Sequence, residues 1–271
     1  MNKLMLAALI VCGFAAGAQD IEGTKPFELG VTDHLQSDIP GQSRDLNIYL
    51  PKGYTPKREW PVIYLLDGGR HEDFIHISGL VQFFTDILDT MPDAVIVGIC
   101  NVDRKKDFTF AGGSTPEFKK MIPNAGGSKE FITFLEKDLK PYIQKKYNGV
   151  GSSTLIGQSA AGLLATEVVL THTGLFDNYL IVSPSLWWND EALLTLKSEA
   201  LRESKNKKVF IAIGNEGDQS MRGSKMLMEI LRSPEVKVKF LYMPEENHLT
   251  ILHNAAYKGL LFLLAKAPAK E

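Results

Sequence analysis

Residues 152–165, SSTLIGQSAAGLLA, constrain this chain more than any other segment. A short apolar run ends on Gly157, Ser159 follows, and a run of helix-forming residues then begins. That order predicts a strand, a sharp turn and a helix. Gly157-Gln158-Ser159-Ala160-Ala161-Gly162 nearly matches G-x-S-x-G, the turn that holds a serine hydroxyl above the end of a parallel sheet. Small residues are required because strand and helix almost touch there. Gly157 meets the requirement, Ala161 stands where a second glycine is usual, and Gly162 comes one position late. A short motif also fits a plain turn with an exposed serine, so the rest of the chain must decide.

The 271 residues are 44% hydrophobic with a formal charge of -2, enough for one large α/β domain with its own core. The 30 Lys and Arg are spread among 32 Asp and Glu with no basic stripe, which argues against nucleic acid as a partner. Residues 1–18 differ in kind. Lys3 precedes an apolar run over residues 4–16, and Ala16-Gly17-Ala18 stands before Gln19. This reads as a cleavable signal peptide cut after Ala18, leaving a mature domain over 19–271 in the periplasm or outside the cell. The run is too short to cross a bilayer core of ~30 Å, so no stable membrane insertion is expected after cleavage. Cys12 follows the bulky Val11, unlike a lipid-anchor cysteine. Cys100 is then the one mature cysteine, and no intrachain disulfide can form.

Strand-like runs occupy residues 27–35 and 44–50, and a buried strand over 60–66 stops in Asp67-Gly68-Gly69. A helix over 73–89 and a strand over 94–99 follow. Residues 101–127 are rich in Gly, Pro and charge, show no clear element, and form the kind of long loop that is usually functional or disordered. A helix spans 128–147, with Pro141 near a bend. After the serine turn come a strand at 178–182, a helix around 190–203, a strand at 208–213, a helix around 223–232, a strand at 236–243 and a last helix over 251–265. Strand alternating with helix predicts a mostly parallel sheet covered on both faces.

In such sheets the active residues gather beyond the carboxyl ends of the strands. The loops there carry Asp67-Gly68-Gly69-Arg70-His71, Ser159, Gly214-Asn-Glu-Gly-Asp218 and Pro244-Glu-Glu-Asn-His248. A serine hydroxyl needs a histidine to take its proton and an acid to orient that histidine. The chain order serine, acid, histidine makes Ser159 the candidate nucleophile and His248, just past the last strand, the candidate base. Glu216, nearer the strand end, is favoured over Asp218 as the acid, and both stay open. Backbone N–H groups of Ala160 and of Gly68 or Gly69 are the candidate donors to a developing oxyanion. His71 and His76 with Glu72 form H-E-x-x-x-H, one residue too long for the zinc motif. A serine acting with a histidine and an acid needs neither metal nor organic cofactor, and none is expected.

The whole of residues 27–267 resembles the esterase-D-like branch of the α/β-hydrolases, which includes enterochelin, feruloyl and acetylxylan esterases, S-formylglutathione hydrolases and mycolyltransferases. The resemblance is carried by Val62-Ile-Tyr-Leu-Leu-Asp-Gly68, Arg104-Lys-Lys-Asp-Phe-Thr109, Gly157-Gln-Ser-Ala-Ala-Gly162, Leu175-Phe-Asp177, Ser183-Pro-Ser-Leu-Trp-Trp188 and Glu246-Asn-His248. Members more often show G-H-S-x-G-G, where this chain has Gln158 and Ala161. The resemblance implies an α/β-hydrolase fold and a serine esterase acting through an acyl-enzyme on a small-molecule ester. It places Trp187 and Trp188 beside the serine as a pocket wall. The loop of Arg104, Lys105 and Lys106, with His71, is expected to meet an acidic or metal-chelate substrate. An aromatic, anionic ester such as a siderophore trilactone ranks first. Feruloyl or acetyl-carbohydrate esters, acyl transfer and non-catalytic binding are the alternatives.

Overall fold

The computed structural model describes residues 23–112, 120, 122–196 and 206–266. The segment read as a signal peptide and Cys12 lie outside the described residues.

Eight strands form one sheet in the order β1-β2-β4-β3-β5-β6-β7-β8. They are β1 (Val31–Leu35), β2 (Arg44–Tyr49), β3 (Val62–Leu65), β4 (Val95–Ile99), β5 (Ser153–Gln158), β6 (Asn178–Val182), β7 (Lys207–Gly214) and β8 (Val236–Met243). β1 and β2 form an antiparallel edge, β2 runs antiparallel to β4, and every pairing from β4 to β8 is parallel. This is the expected mostly parallel α/β sheet. After β3 the chain turns to one side to make β4, then crosses back to make β5 on the other side. The reversal opens a crevice at the carboxyl ends of β3 and β5, where ligands bind in sheets of this kind.

Side chains alternate between the two faces with period two. Val62 and Tyr64 of β3, Tyr179 and Ile181 of β6, and Val209 and Ile211 of β7 belong to one core layer. Their neighbours Ile63, Leu65, Leu180, Val182, Phe210 and Ala212 belong to the other. Both layers are apolar, which is why these strands read as continuous hydrophobic runs. α1 (Phe74–Gln82), continued by a π turn over Phe83–Ile87, covers the second layer. The first is covered by a long helix, α3, running Ser128–Phe134, through a π turn Leu135–Leu139, into Lys140–Tyr147. α4 (Ala160–Thr171) and α5 (Gly217–Leu231) share that face, and α6 (Ile251–Leu264) lies on the face of α1. Among the described residues, no helix is long and apolar enough to cross a membrane.

Three local readings need correction. The loop after β4 contains a short helix, α2 (Arg104–Asp107), which Asp103 caps by accepting the Lys106 N–H at 3.2 Å. α5 begins at Gly217, six residues earlier than residue 223, so the loop after β7 is short and ends at Glu216. The helix placed around 190–203 does not start there. Asn189, Asp190 and Glu191 have left-handed backbone, and a short 3-10 turn, Ala192–Thr195, follows. Residues 197–205 lie outside the described residues.

Candidate active site

Ser159 stands between β5 and α4 with φ 61° and ψ -121°, a conformation that costs a non-glycine residue about 1–3 kcal/mol. The surrounding bonds hold it: Ser159 N–H donates to Val182 O at 3.0 Å, and Ser159 O accepts from Leu163 N–H at 2.9 Å and Ser185 N–H at 3.0 Å. A Cβ at Gly157 would lie 2.4 Å from Ala161 O, so this glycine has no substitute. Ala161 is itself fully buried, and its methyl fits where the motif usually has glycine. The close approach to β6 falls instead at Gly162, whose Cβ would come within 3.0 Å of Val182 O and Pro184 Cα.

Ser159, His248 and Glu216 come together in one hydrogen-bonded chain. His248 Nε2 lies 3.0 Å from Ser159 Oγ, and His248 Nδ1 lies 2.6 Å from Glu216 Oε2. Glu216 is the residue at which β7 gives way to α5, so strand and helix both fix its position. Its other oxygen, Oε1, accepts from Ser183 Oγ at 2.5 Å and from Gly214 N–H at 3.3 Å. Burial pushes the Glu216 carboxyl up, but the hydrogen bonds from His248 and Ser183 outweigh it and hold the group below its usual range. The hydrogen bond to Glu216 raises His248 above the ordinary histidine value, against burial and the nearby positive charge of Arg104. Asp218 does not join this chain. It is exposed in the first turn of α5 and lines a different groove with Met221 and Arg222.

Two partners in this arrangement were given no role from the sequence. Gln158 Nε2 donates to the backbone carbonyl of His248 at 2.5 Å, tying the serine turn to the histidine loop. Ser183, buried and with φ 43°, holds the far oxygen of Glu216. Its place in Ser183-Pro-Ser, directly after β6, was the available signal.

The glycine loop also needs correction. Gly68 and Gly98 are packed backbone to backbone: a Cβ on Gly68 would lie 2.3 Å from Gly98 Cα. Gly68 N–H donates to Ile99 O at 3.0 Å and is not available to a ligand. Gly69 N–H is directed away from the sheet ladder and donates to Glu72 Oε2 at 2.8 Å. Glu72 Oε1 in turn accepts from Asn101 Nδ2 at 2.8 Å, and the same amide reaches Asp67 Oδ1 at 2.7 Å. Ala160 opens α4, so its N–H is among those a helix leaves without an internal acceptor.

The residues expected to meet substrate separate. A cavity of about 410 Å³ is lined by Trp187, Ser183, Glu216, Asn247 and His248, among others. Trp187 is 45% exposed there, whereas Trp188 is 2% exposed and donates its indole N–H to Phe110 O at 3.1 Å. Trp188 is thus a core residue and not a pocket wall. Arg104 is not a free cation: its Nε and Nη2 donate to Asp67 Oδ1 and Oδ2 at 2.6 and 2.8 Å. Lys106 lines a separate cavity with Pro40 and Asn124. His71 is exposed and does not line the Trp187 cavity. Asp73, at the start of α1, is pushed to about 6 by burial and by the charges of Asp67 and Glu72. Among the described residues, no three His, Cys, Asp or Glu side chains converge where a metal ion could be held.

Comparisons with known proteins agree with this architecture. Residues 37–250 match the family described as "Putative esterase". The chain is 28% identical over 267 residues to the ferri-bacillibactin esterase BesA of Bacillus subtilis, spanning 88% of this chain and 91% of that protein. The BES protein from Bacillus cereus superposes with a TM-score of 0.78 at 29% identity, covering 90% of this chain and 98% of that one. An IroE-like serine hydrolase from Shewanella oneidensis gives a TM-score of 0.75 at 29% identity over 86% of this chain and 79% of that one. The chain belongs to this esterase family and is a carboxylic-ester hydrolase of the α/β-hydrolase fold.

Proposed function

We propose that the protein is an exported serine esterase that opens siderophore-type esters through an acyl-enzyme. The hydrogen-bonded chain from Ser159 through His248 to Glu216 carries this reading. Ser159 Oγ attacks the ester carbonyl carbon while His248 Nε2 takes the hydroxyl proton, and Glu216 stabilises the resulting imidazolium. The carbonyl oxygen becomes an oxyanion between the N–H groups of Ala160 and Gly69, once Glu72 has left the latter. Collapse breaks the C–O bond to the alcohol, which leaves with the proton from His248. Water, deprotonated by the same imidazole, then attacks the acyl-serine, and collapse of that second intermediate frees the acid and returns the proton to Ser159.

The substrate class rests on two supports. The relative BesA is named a ferri-bacillibactin esterase and two fungal relatives are named siderophore esterases, and Trp187 offers an aromatic face beside His248. The iron in such a ligand is part of the substrate. Arg104 contributes by holding Asp67 at the mouth of the glycine loop, with its own charge largely compensated. A rate panel of ferric and iron-free catecholate trilactone, methyl ferulate, acetylated xylan and p-nitrophenyl acetate tests the assignment, with the trilactone expected to be the best substrate. A clear preference for methyl ferulate or acetylated xylan would replace it with a feruloyl or carbohydrate esterase, and ester products formed from an added alcohol would make it an acyltransferase. Export follows from residues 1–18, and protein recovered from its native host should begin at Gln19.

A further inference from the structure

Asn189, Asp190 and Glu191 have φ of 47°, 52° and 62°, three consecutive left-handed residues with no glycine among them. In this region the Cβ of an L-residue crowds the following carbonyl oxygen, so such a run persists only where its surroundings impose it. The surroundings can be named. On one side Trp188 is buried, its indole N–H bonded to Phe110 O and its backbone N–H to Ser185 O at 3.1 Å. On the other, the Glu191 carboxylate receives Arg222 Nη1 at 3.0 Å on one oxygen and Arg222 Nη2 on the other, with Gln219 Nε2 at 3.4 Å. The hydrogen bonds from Arg222 hold the Glu191 carboxyl below its usual range. Gln219 and Arg222 lie on α5, whose start is fixed at Glu216. Trp187, at the head of the turn, lines the cavity beside His248.

We propose that the Glu191–Arg222 pair positions Trp187 for substrate selection: by clamping the left-handed turn to the helix that follows Glu216, it aims the indole across the cavity and sets the preference for an aromatic acyl group. The inference rests on the reading of Ser159 and His248 as the reacting pair. A two-pronged guanidinium–carboxylate contact suits the task because it fixes direction as well as distance. Neither residue touches the reacting atoms, so both are positioning residues.

Steady-state kinetics on p-nitrophenyl benzoate and p-nitrophenyl acetate separate the roles, with Trp187→Ala defining the full effect of losing the wall. Glu191→Gln and Arg222→Gln should raise KM for the benzoate by about tenfold and leave kcat for the acetate within about twofold, the pattern of a lost binding contact. Arg222→Lys keeps the charge without the fork and should rescue only in part. Glu191→Gly, free to keep left-handed backbone without the clamp, should fall between wild type and Glu191→Gln. Trp60 and Trp188 are buried, so acrylamide quenching of tryptophan emission reports mainly on Trp187 and should change in the two glutamine variants. Absence of turnover on either ester by the wild-type protein would remove the serine-esterase reading. Unchanged selectivity in Trp187→Ala would remove the wall. An effect of Trp187→Ala with unaltered selectivity and quenching in folded Glu191→Gln, Arg222→Gln and Glu191→Gly would overturn the clamp alone.

Discussion

Gln158 donates its side-chain amide to the backbone carbonyl of His248, joining the residue before Ser159 to the loop that carries His248. This bond ties the elbow to the histidine loop beside the 3.0 Å contact between Ser159 and His248. Gln158→Ala removes about 1 kcal/mol of net hydrogen bonding, so kcat/KM should fall roughly fivefold with the fold intact. Ester kinetics beside a thermal melt check this. An unchanged rate would show that the loop holds His248 without help.

The Glu216 contact has a pH signature. A general base works only when unprotonated, and the Glu216 hydrogen bond raises the His248 pKa. The acid limb of kcat/KM should therefore lie above the ordinary histidine value of 6.5, activity being lost as pH falls through it. Glu216→Gln removes the negative charge that favours the imidazolium and puts an amide, both donor and acceptor, where His248 faced an acceptor-only carboxylate. It should move that limb to lower pH while cutting the plateau by about 10²- to 10⁴-fold. Asp73, pushed to about 6, titrates in the same window, and Asp73→Asn separates the two. A limb that Asp73→Asn moves and Glu216→Gln does not would assign the profile to Asp73.

How much of this was legible in the sequence varies with the range of the interaction. β3, β4, β6 and β7 were readable because strands buried on both faces are continuous apolar runs. Ser159, Glu216 and His248 were readable because chain order and strand ends fix their places. The start of α5 was hidden by Gly217 and Gly223, which weaken any helical pattern. Trp187 and Trp188 could not be told apart, since adjacent residues leave the backbone in different directions and only packing decides which is buried. The Asn189–Glu191 turn reads as a helix start from its composition, and its left-handed form comes from Trp188 and Arg222, contacts made across the fold. The closing of Gly69 N–H by Glu72 is local, but a glycine loop gives no sign of which amide is free.

Under the proposed mechanism, Glu72, which now holds Gly69 N–H at 2.8 Å, competes with the oxyanion for that donor. Removing the carboxylate in Glu72→Ala should speed acylation of small neutral esters, read as the rate of fluorophosphonate labelling, even as it lowers Tm by loosening the start of α1. Slower labelling would make Glu72 a support for the loop and not a rival for the amide.

Stability should be sensitive to the buried pair of Arg44 and Asp107. Arg44 and Asp107 form an ion pair at 3.1 Å with both side chains almost fully buried, and the Arg44 guanidinium lies 4.6 Å from the centre of the Phe131 ring. Breaking a buried pair costs about 3–5 kcal/mol because one charge is left uncompensated. Asp107→Ala should accordingly lower Tm by roughly 6–20 °C. It should also weaken activity through α2, which ends at Asp107 and begins at Arg104. A melt within about 2 °C of wild type would show that Gln42 and the Phe131 ring compensate the Arg44 charge without Asp107.

The proposed reaction turns on Ser159 as the nucleophile. Intact-mass analysis after fluorophosphonate treatment, followed by peptide mapping, should find one adduct, on Ser159. Ser159→Ala should lose both the adduct and turnover of the catecholate trilactone, and His248→Ala should lose both to a similar degree, because such residues act as a unit. An adduct on another residue, or trilactone hydrolysis that survives Ser159→Ala, would contradict it.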